Sequence, residues 1–202
     1  MDVYSYPLVR IVKIFYDVET TGANPNKHSL HQVAGLIEVD EQIVDEFNIY
    51  SRPHPKALLD PAALSICRVT PEQLQSYPAM EDAKTEFCRI IAKYIYKYDK
   101  RAKAYLIGYN NCGFDDKFLR MWFTLCGDNY FGSWFWSDSR DAMVLASEYL
   151  ESRRPSMPNF QLHTVAQTLG LEVDTTRLHN AFYDVLLTRQ IYRIVTGRDI
   201  EL

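Results

Sequence analysis

A chain of 202 residues with 47% hydrophobic and 24% charged side chains is long enough for one sizeable core and has an ordinary globular make-up. Its net charge of −4 excludes a globally basic surface of the kind that coats long duplex DNA, while leaving room for a local basic patch. The four cysteines, Cys67, Cys88, Cys112 and Cys126, include no Cys-x-x-Cys pair, which argues against a zinc site and for reduced thiols.

Met1 to Arg10 has no basic stretch followed by an apolar core, so no signal peptide is expected. The longest apolar runs fall far short of a membrane span. The expectation is one cytoplasmic domain over residues 1–202 with no membrane association.

Ile11 to Tyr16 is an apolar run that reads as a buried strand, set within residues 10–18. It leads into Phe15-Tyr16-Asp17-Val18-Glu19-Thr20-Thr21-Gly22. Strand side chains alternate faces, so Asp17 and Glu19 project the same way. Two like charges at the edge of a core are costly unless compensated, and a divalent cation, which takes carboxylate oxygens, is the usual compensation. The plain alternative is a solvated strand end. Gly22 suits a tight turn or a close backbone approach.

Gln32 to Val39 and Ile43 to Ser51 read as two further strands joined around Asp40-Glu41, an antiparallel meander. Pro53, Pro55 and Pro61 are expected to break regular structure, and Thr70-Pro71-Glu72 to open a helix. From Met80 to Tyr98 the pattern is helical, with Ala83, Phe87, Ile90, Ile91, Tyr94, Ile95 and Tyr98 on one stripe. After a polar break at Lys100 to Lys103, Ala104 to Tyr109 reads as a buried strand ending in Asn110-Asn111-Cys112-Gly113-Phe114-Asp115. The next helix puts Phe118, Leu119, Trp122 and Leu125 inward and stops at Gly127.

Residues 128–140 are aromatic and irregular; Trp134 and Trp136 there are either core or stacking platforms, and core is favoured. Asp141 is a cap for a helix to about Glu151. Gln161 to Leu169 is a short helix closed by Gly170, and a last helix runs from about Asn180 to Val195 and stops at Gly197. Three strands, a helix, a strand and then helices make an α/β domain with a mixed sheet.

Three more positions carry chemistry. Asp115 follows a strand end, where functional groups of α/β sheets collect, although a helix cap is its plain reading. His179 and Asp184 are five residues apart, about 140° around a regular helix, so they cannot share a face there. His179 is therefore placed in the loop or first turn, with Asp184 one turn inside and facing the sheet.

Asp-x-Glu on the first strand, Asn-x-x-x-Asp after a later strand and His-x-Ala-x-x-Asp on the last helix occur in this order. At these residues the sequence resembles the DEDDh family of 3′-to-5′ exonucleases. Phe15 to Gly22, Leu106-Ile107-Gly108-Tyr109-Asn110-Asn111, Phe114-Asp115-Asp116 and Asp138-Ser139-Arg140 resemble the exonuclease I branch in particular. Most of residues 11–196 is covered.

The resemblance implies a ribonuclease H-like fold, with a mixed sheet of antiparallel meander plus parallel strands flanked by helices. It implies four metal-binding acids, Asp17, Glu19, Asp115 and Asp184, holding two divalent cations, Mg²⁺ or Mn²⁺. Asp17 is the expected bridging ligand, Glu19 also serves the catalytic water, and His179 is the catalytic base. Thr20 and Asn111 fall at substrate-contacting positions of the family, but turn or capping roles fit them equally. Arg140 beside Asp138 suits a phosphate contact or a surface ion pair.

The implied activity is hydrolysis of single-stranded nucleic acid from a free 3′ end to nucleoside 5′-monophosphates, with DNA favoured over RNA. A polymerase or another replication or repair protein is a candidate partner. A 3′-to-5′ exoribonuclease and a catalytically silent nucleic-acid-binding module are the competing readings. Exonuclease I carries further domains after its nuclease domain and this sequence stops soon after the last motif, so strong processivity is not implied.

Overall fold

The computed structural model describes residues 10–178 and 180–198. In chain order these form β1 (Val12–Thr20), β2 (Leu30–Val39), β3 (Gln42–Tyr50), α1 (Pro61–Cys67), α2 (Pro71–Ser76), α3 (Met80–Ile91) and β4 (Ala104–Gly108). There follow α4 (Asp115–Leu125), α5 (Phe131–Trp134), β5 (Arg140–Asp141), α6 (Ala142–Tyr149), α7 (Leu162–Thr168) and α8 (Ala181–Val195). No helix among the described residues is long and apolar enough to cross a membrane.

The strands make one mixed sheet in the order β3-β2-β1-β4-β5. The β3-β2-β1 meander is antiparallel, and β4 and β5 add in parallel. β1 is central because it is apolar on both faces, as a strand covered on both sides must be. Ile14, Tyr16 and Val18 enter a core with Phe87 of α3 and Trp122 of α4. Phe15 points the other way and packs with Val185 and Tyr192 of α8. Asp17 and Glu19 continue the alternation of Phe15, so they lie on the α8 side of the sheet.

The structure departs from the sequence expectations at several helices. α3 ends at Ile91 rather than Tyr98, and the chain then crosses to β4 through tight turns such as Asp99 N–H to Tyr96 O at 2.8 Å. Ile95 is still buried, but Tyr98 is 74% exposed. Aromatic residues have modest helix propensity, and the crossing to Ala104 decides the path instead. Pro61 opens α1 rather than breaking structure, because the Asp60 side chain accepts Ala62 N–H and proline is tolerated in a first turn.

In α4 Phe123 is buried where Leu125 was expected inward. The two-residue β5 is too short to leave a periodic signal. Trp122 and Trp134 are core, and Trp136 is half-buried at the sheet edge.

Candidate active site

β1 is longer than its neighbour β4. Their last pair is Phe15 with Ile107, and β4 stops at Gly108, so the end of β1 stays paired with β2 but runs on with no strand on its β4 side. The Val18 N–H there is taken by Asp115, whose Oδ1 accepts it at 3.1 Å. Asp115 is thus not the cap of α4. Phe114 holds that position with no side-chain bond, and Asp115 is the first helical residue, 5% exposed.

The turn between β4 and α4 is tightly braced. Gly108 is required, since a Cβ there would lie 2.6 Å from Asn111 Cβ and 3.2 Å from Tyr16 O. Asn110 takes a left-handed conformation, φ 61°, and its N–H donates to Asp141 Oδ1 at 2.9 Å. Asp141 also caps α6 through Met143 N–H. Asn111 is fully buried, and its amide donates to Ser139 Oγ at 2.7 Å and Asp116 Oδ1 at 3.3 Å. Asp116 accepts the Tyr16 hydroxyl and the Ser139 hydroxyl as well. This hub ties β1, the turn and the approach to β5 together behind the acids.

Asp17 binds its proton far more tightly than an ordinary carboxylate. Burial is the main cause, followed by the charges of Asp115, Glu19 and Asp184. Asp115 is pushed up to about 7, again chiefly by burial; the Val18 N–H and its own N–H lower it, and Asp116 and Glu19 raise it. The structure therefore brings the acids of three distant segments together at the end of β1. Asp184 sits in the first turn of α8, where the helix dipole favours negative charge, and Asn180 caps that helix through Tyr183 N–H. Asp17 and Asp184 line a cleft of about 560 Å³ with Tyr109, Phe160 and His163. His179 lies outside the described residues.

Glu19 faces a second cavity of about 380 Å³, with Gln32, Cys67, Arg68 and Arg177. Its Oε2 accepts the Cys67 thiol at 2.9 Å, and burial together with the Glu19 charge pushes that thiol up to about 12. Thr20 is buried, and its hydroxyl donates to Gly22 O at 2.9 Å. Among the described residues no three acids, histidines or cysteines stand in closed metal-ligand geometry. The donor set is nonetheless all hard carboxylate oxygen, and the raised proton affinities show that the acids crowd one another's charge, so the chemistry of these residues suits a divalent cation.

Sequence reading missed Cys67 and the hub at Asp116. Asp116 had one visible signal, the doubled aspartate of Phe114-Asp115-Asp116; Cys67 had none.

Partly buried acids on the long central strand thus meet a buried acid from the helix after β4 and one from the last helix, the arrangement expected of an exonuclease. Residues 14–192 match the family model described as Exonuclease, and the chain belongs to that family. It is 26% identical to exodeoxyribonuclease I of Escherichia coli over 94% of the chain and 41% of that protein. It is equally 26% identical to the PolC-type DNA polymerase III of Thermotoga petrophila, over 89% of the chain and 11% of the polymerase. The crystal structure of E. coli exonuclease I in complex with a dT13 oligonucleotide superposes with a TM-score of 0.73 at 22% identity, covering 93% of this chain and 41% of that one. That likeness carries the fold, which is ribonuclease H-like. The chain thus spans about two fifths of exonuclease I and about a tenth of the polymerase.

Proposed function

We propose that this protein is a divalent-cation-dependent 3′-to-5′ exonuclease that removes nucleotides from single-stranded DNA, and that residues 1–202 act as one exonuclease domain. The observation that carries this reading is the convergence of Asp17, Glu19, Asp115 and Asp184, seen in the way three of these acids raise the proton affinity of the fourth. The similarity to exodeoxyribonuclease I, whose structure is known with a dT13 strand, supports the substrate class. The PolC-type relatives include the matching segment within a polymerase chain, which supports a replication or repair protein as partner.

In this reading Asp17, Glu19, Asp115 and Asp184 would hold the divalent cations, with Glu19 and Asp184 on the side of the attacking water and Asp115 on the side of the leaving oxygen. When bound, the cations neutralise the acids and stabilise the attacking and leaving oxygens of an in-line displacement. His179 takes the proton of the attacking water; an unperturbed imidazole, with pKa near 6.5, is mostly neutral at pH 7 and able to do so. The bond between phosphorus and the 3′ oxygen breaks, and the terminal nucleoside 5′-monophosphate leaves. Thr20 shapes the turn at the terminal nucleotide. Asn111, fully buried, acts by bracing the turn that presents Asp115.

The test is one gel with 5′-labelled single-stranded DNA and matching RNA, incubated with Mg²⁺, Mn²⁺ or chelator. A cation-dependent ladder shrinking from the 3′ end, lost in Asp17→Ala, is expected, and the RNA lanes report the sugar preference. His179→Ala should keep strand and cation binding but lose most of the rate. Wild-type turnover in that variant would remove the base role, and degradation that ignores the chelator would remove the reading as a whole.

A further inference from the structure

The crossing from α3 to β4 gathers charge in a way the acidic centre does not use. Residues 93–103 carry five cations, Lys93, Lys97, Lys100, Arg101 and Lys103, against one carboxylate, Asp99, a local net of 5 − 1 = +4 in a chain whose total is −4. Lys93 is paired with Asp45 and Arg101 with Asp99. Lys97, Lys100 and Lys103 form no salt bridge among the described residues.

Aromatic rings alternate with these lysines. Tyr96 and Tyr98 are 67% and 74% exposed and meet edge to face with centroids 5.5 Å apart. Exposed tyrosines of this size have no packing reason to stand out of a globular surface together. Lys97 lies 5.3 Å from the Tyr98 ring centroid, and Lys103 lies 5.3 Å from that of Trp136. Trp136 is anchored to the same end of the sheet by its backbone N–H, which donates to Ala104 O at 2.9 Å.

The patch sits where β4 begins, and the acids sit beyond where β4 ends. The five residues of that strand separate the two by about 13 Å along its axis. A ligand reaching both must be long, negatively charged and able to stack on exposed rings. Single-stranded nucleic acid has all three properties.

We propose that Tyr96, Tyr98 and Trp136, with Lys97, Lys100 and Lys103, form a second contact for the single strand, upstream of the nucleotide being removed. This rests on the exonuclease reading above. The patch holds the strand by stacking and by phosphate charge, so it acts on long strands and leaves the shortest ones untouched.

The experiment is strand binding by fluorescence anisotropy in chelator, with DNA of about 20 and about 5 nucleotides, sizes that bracket a single-strand site. Tyr96→Ala/Tyr98→Ala is expected to weaken the longer strand about tenfold and leave the shorter one at wild-type affinity, which also serves as the control for folding. Lys97→Gln/Lys100→Gln/Lys103→Gln is expected to flatten the salt dependence of the longer strand, lowering the log–log slope by about 2. Wild-type affinity and slope for the longer strand in both variants would overturn the proposal, including the case in which the patch serves an acidic protein instead. If wild-type protein degrades DNA in the gel and the variants still bind like wild type, only this proposal fails. If wild-type protein neither degrades nor binds either strand, the exonuclease reading fails and this one with it.

Discussion

The α8 face of β1 carries a charge cluster at each end, and the two are treated in opposite ways. At the start of the strand Lys13, 1% exposed, meets Glu38 at 2.9 Å and also pairs with Glu41. Arg189 joins Glu38 at 3.0 Å, and Arg193 and Arg198 reach Glu41 at 3.3 Å. Here the protein supplies both signs itself. At the far end Asp17 faces Asp115, Glu19 and Asp184, all of one sign. The contrast is one of sign: the first cluster pairs opposite charges, and in the second the acids raise one another's proton affinity, which is what the cation site proposed above requires.

The largest expected effect falls at the acid end. Asp17 and Asp115 bind protons more tightly in the folded state than in the unfolded chain, where a carboxylate titrates near 3.8. In chelator the protein should therefore lose stability as pH rises from about 4 through about 7, the window between the unfolded and folded titration of Asp115. Asp17→Asn should melt higher than wild type at pH 8 in chelator, gain little from Mg²⁺, and lose activity by about a thousandfold or more. Calorimetric melts at pH 4 and pH 8, with and without Mg²⁺, check this; a wild-type melt that does not change between them would erase the contrast.

The other end should respond with the reverse sign. Burial alone would raise the Glu41 carboxyl, but Lys13 and Arg198 together hold it below its usual range. Its contribution is therefore present at neutral pH and lost as pH falls through the acid range. Lys13→Met leaves Glu38 and Glu41 short of their buried partner and should cost about 3–5 kcal/mol in urea unfolding. Activity per folded molecule should be unchanged, because the cluster does not touch the acids. A variant that folds as stably as wild type would show that the remaining arginines suffice.

The smallest effect concerns Cys67, which holds one oxygen of Glu19. Cys67→Ala should weaken the Mg²⁺ midpoint of activity by about tenfold, the low end of what outer-shell partners contribute, and Cys67→Ser should restore it. Equal midpoints in the two variants would mean that Glu19 needs no such support.

Much of the acid centre is legible locally. A two-residue alternation puts Asp17 and Glu19 on one face, and the same rule sets Phe15 on α8 and Tyr16 on the opposite core. The meander, the start of the last helix and its stop near Gly197 also follow from short patterns of apolar periodicity, caps and glycine. Asp115 was not decidable this way, since an aspartate opening a helix looks like a cap. It becomes a bond acceptor for Val18, 97 residues earlier, only because β4 ends before β1 does.

The meander, the strand before Asn110 and the last helix are readable from periodicity, and the acids' chemistry from their type, because both depend on residues adjacent in the chain. What each acid touches depends on the fold. Cys67 reaches Glu19, and Tyr16, Asn111 and Ser139 converge on Asp116, through strand lengths and turns that no local pattern reports. The same holds for Tyr98, which continues a helical stripe in the sequence but stands in solvent beside Lys97 once α3 ends at Ile91 and the chain turns toward β4.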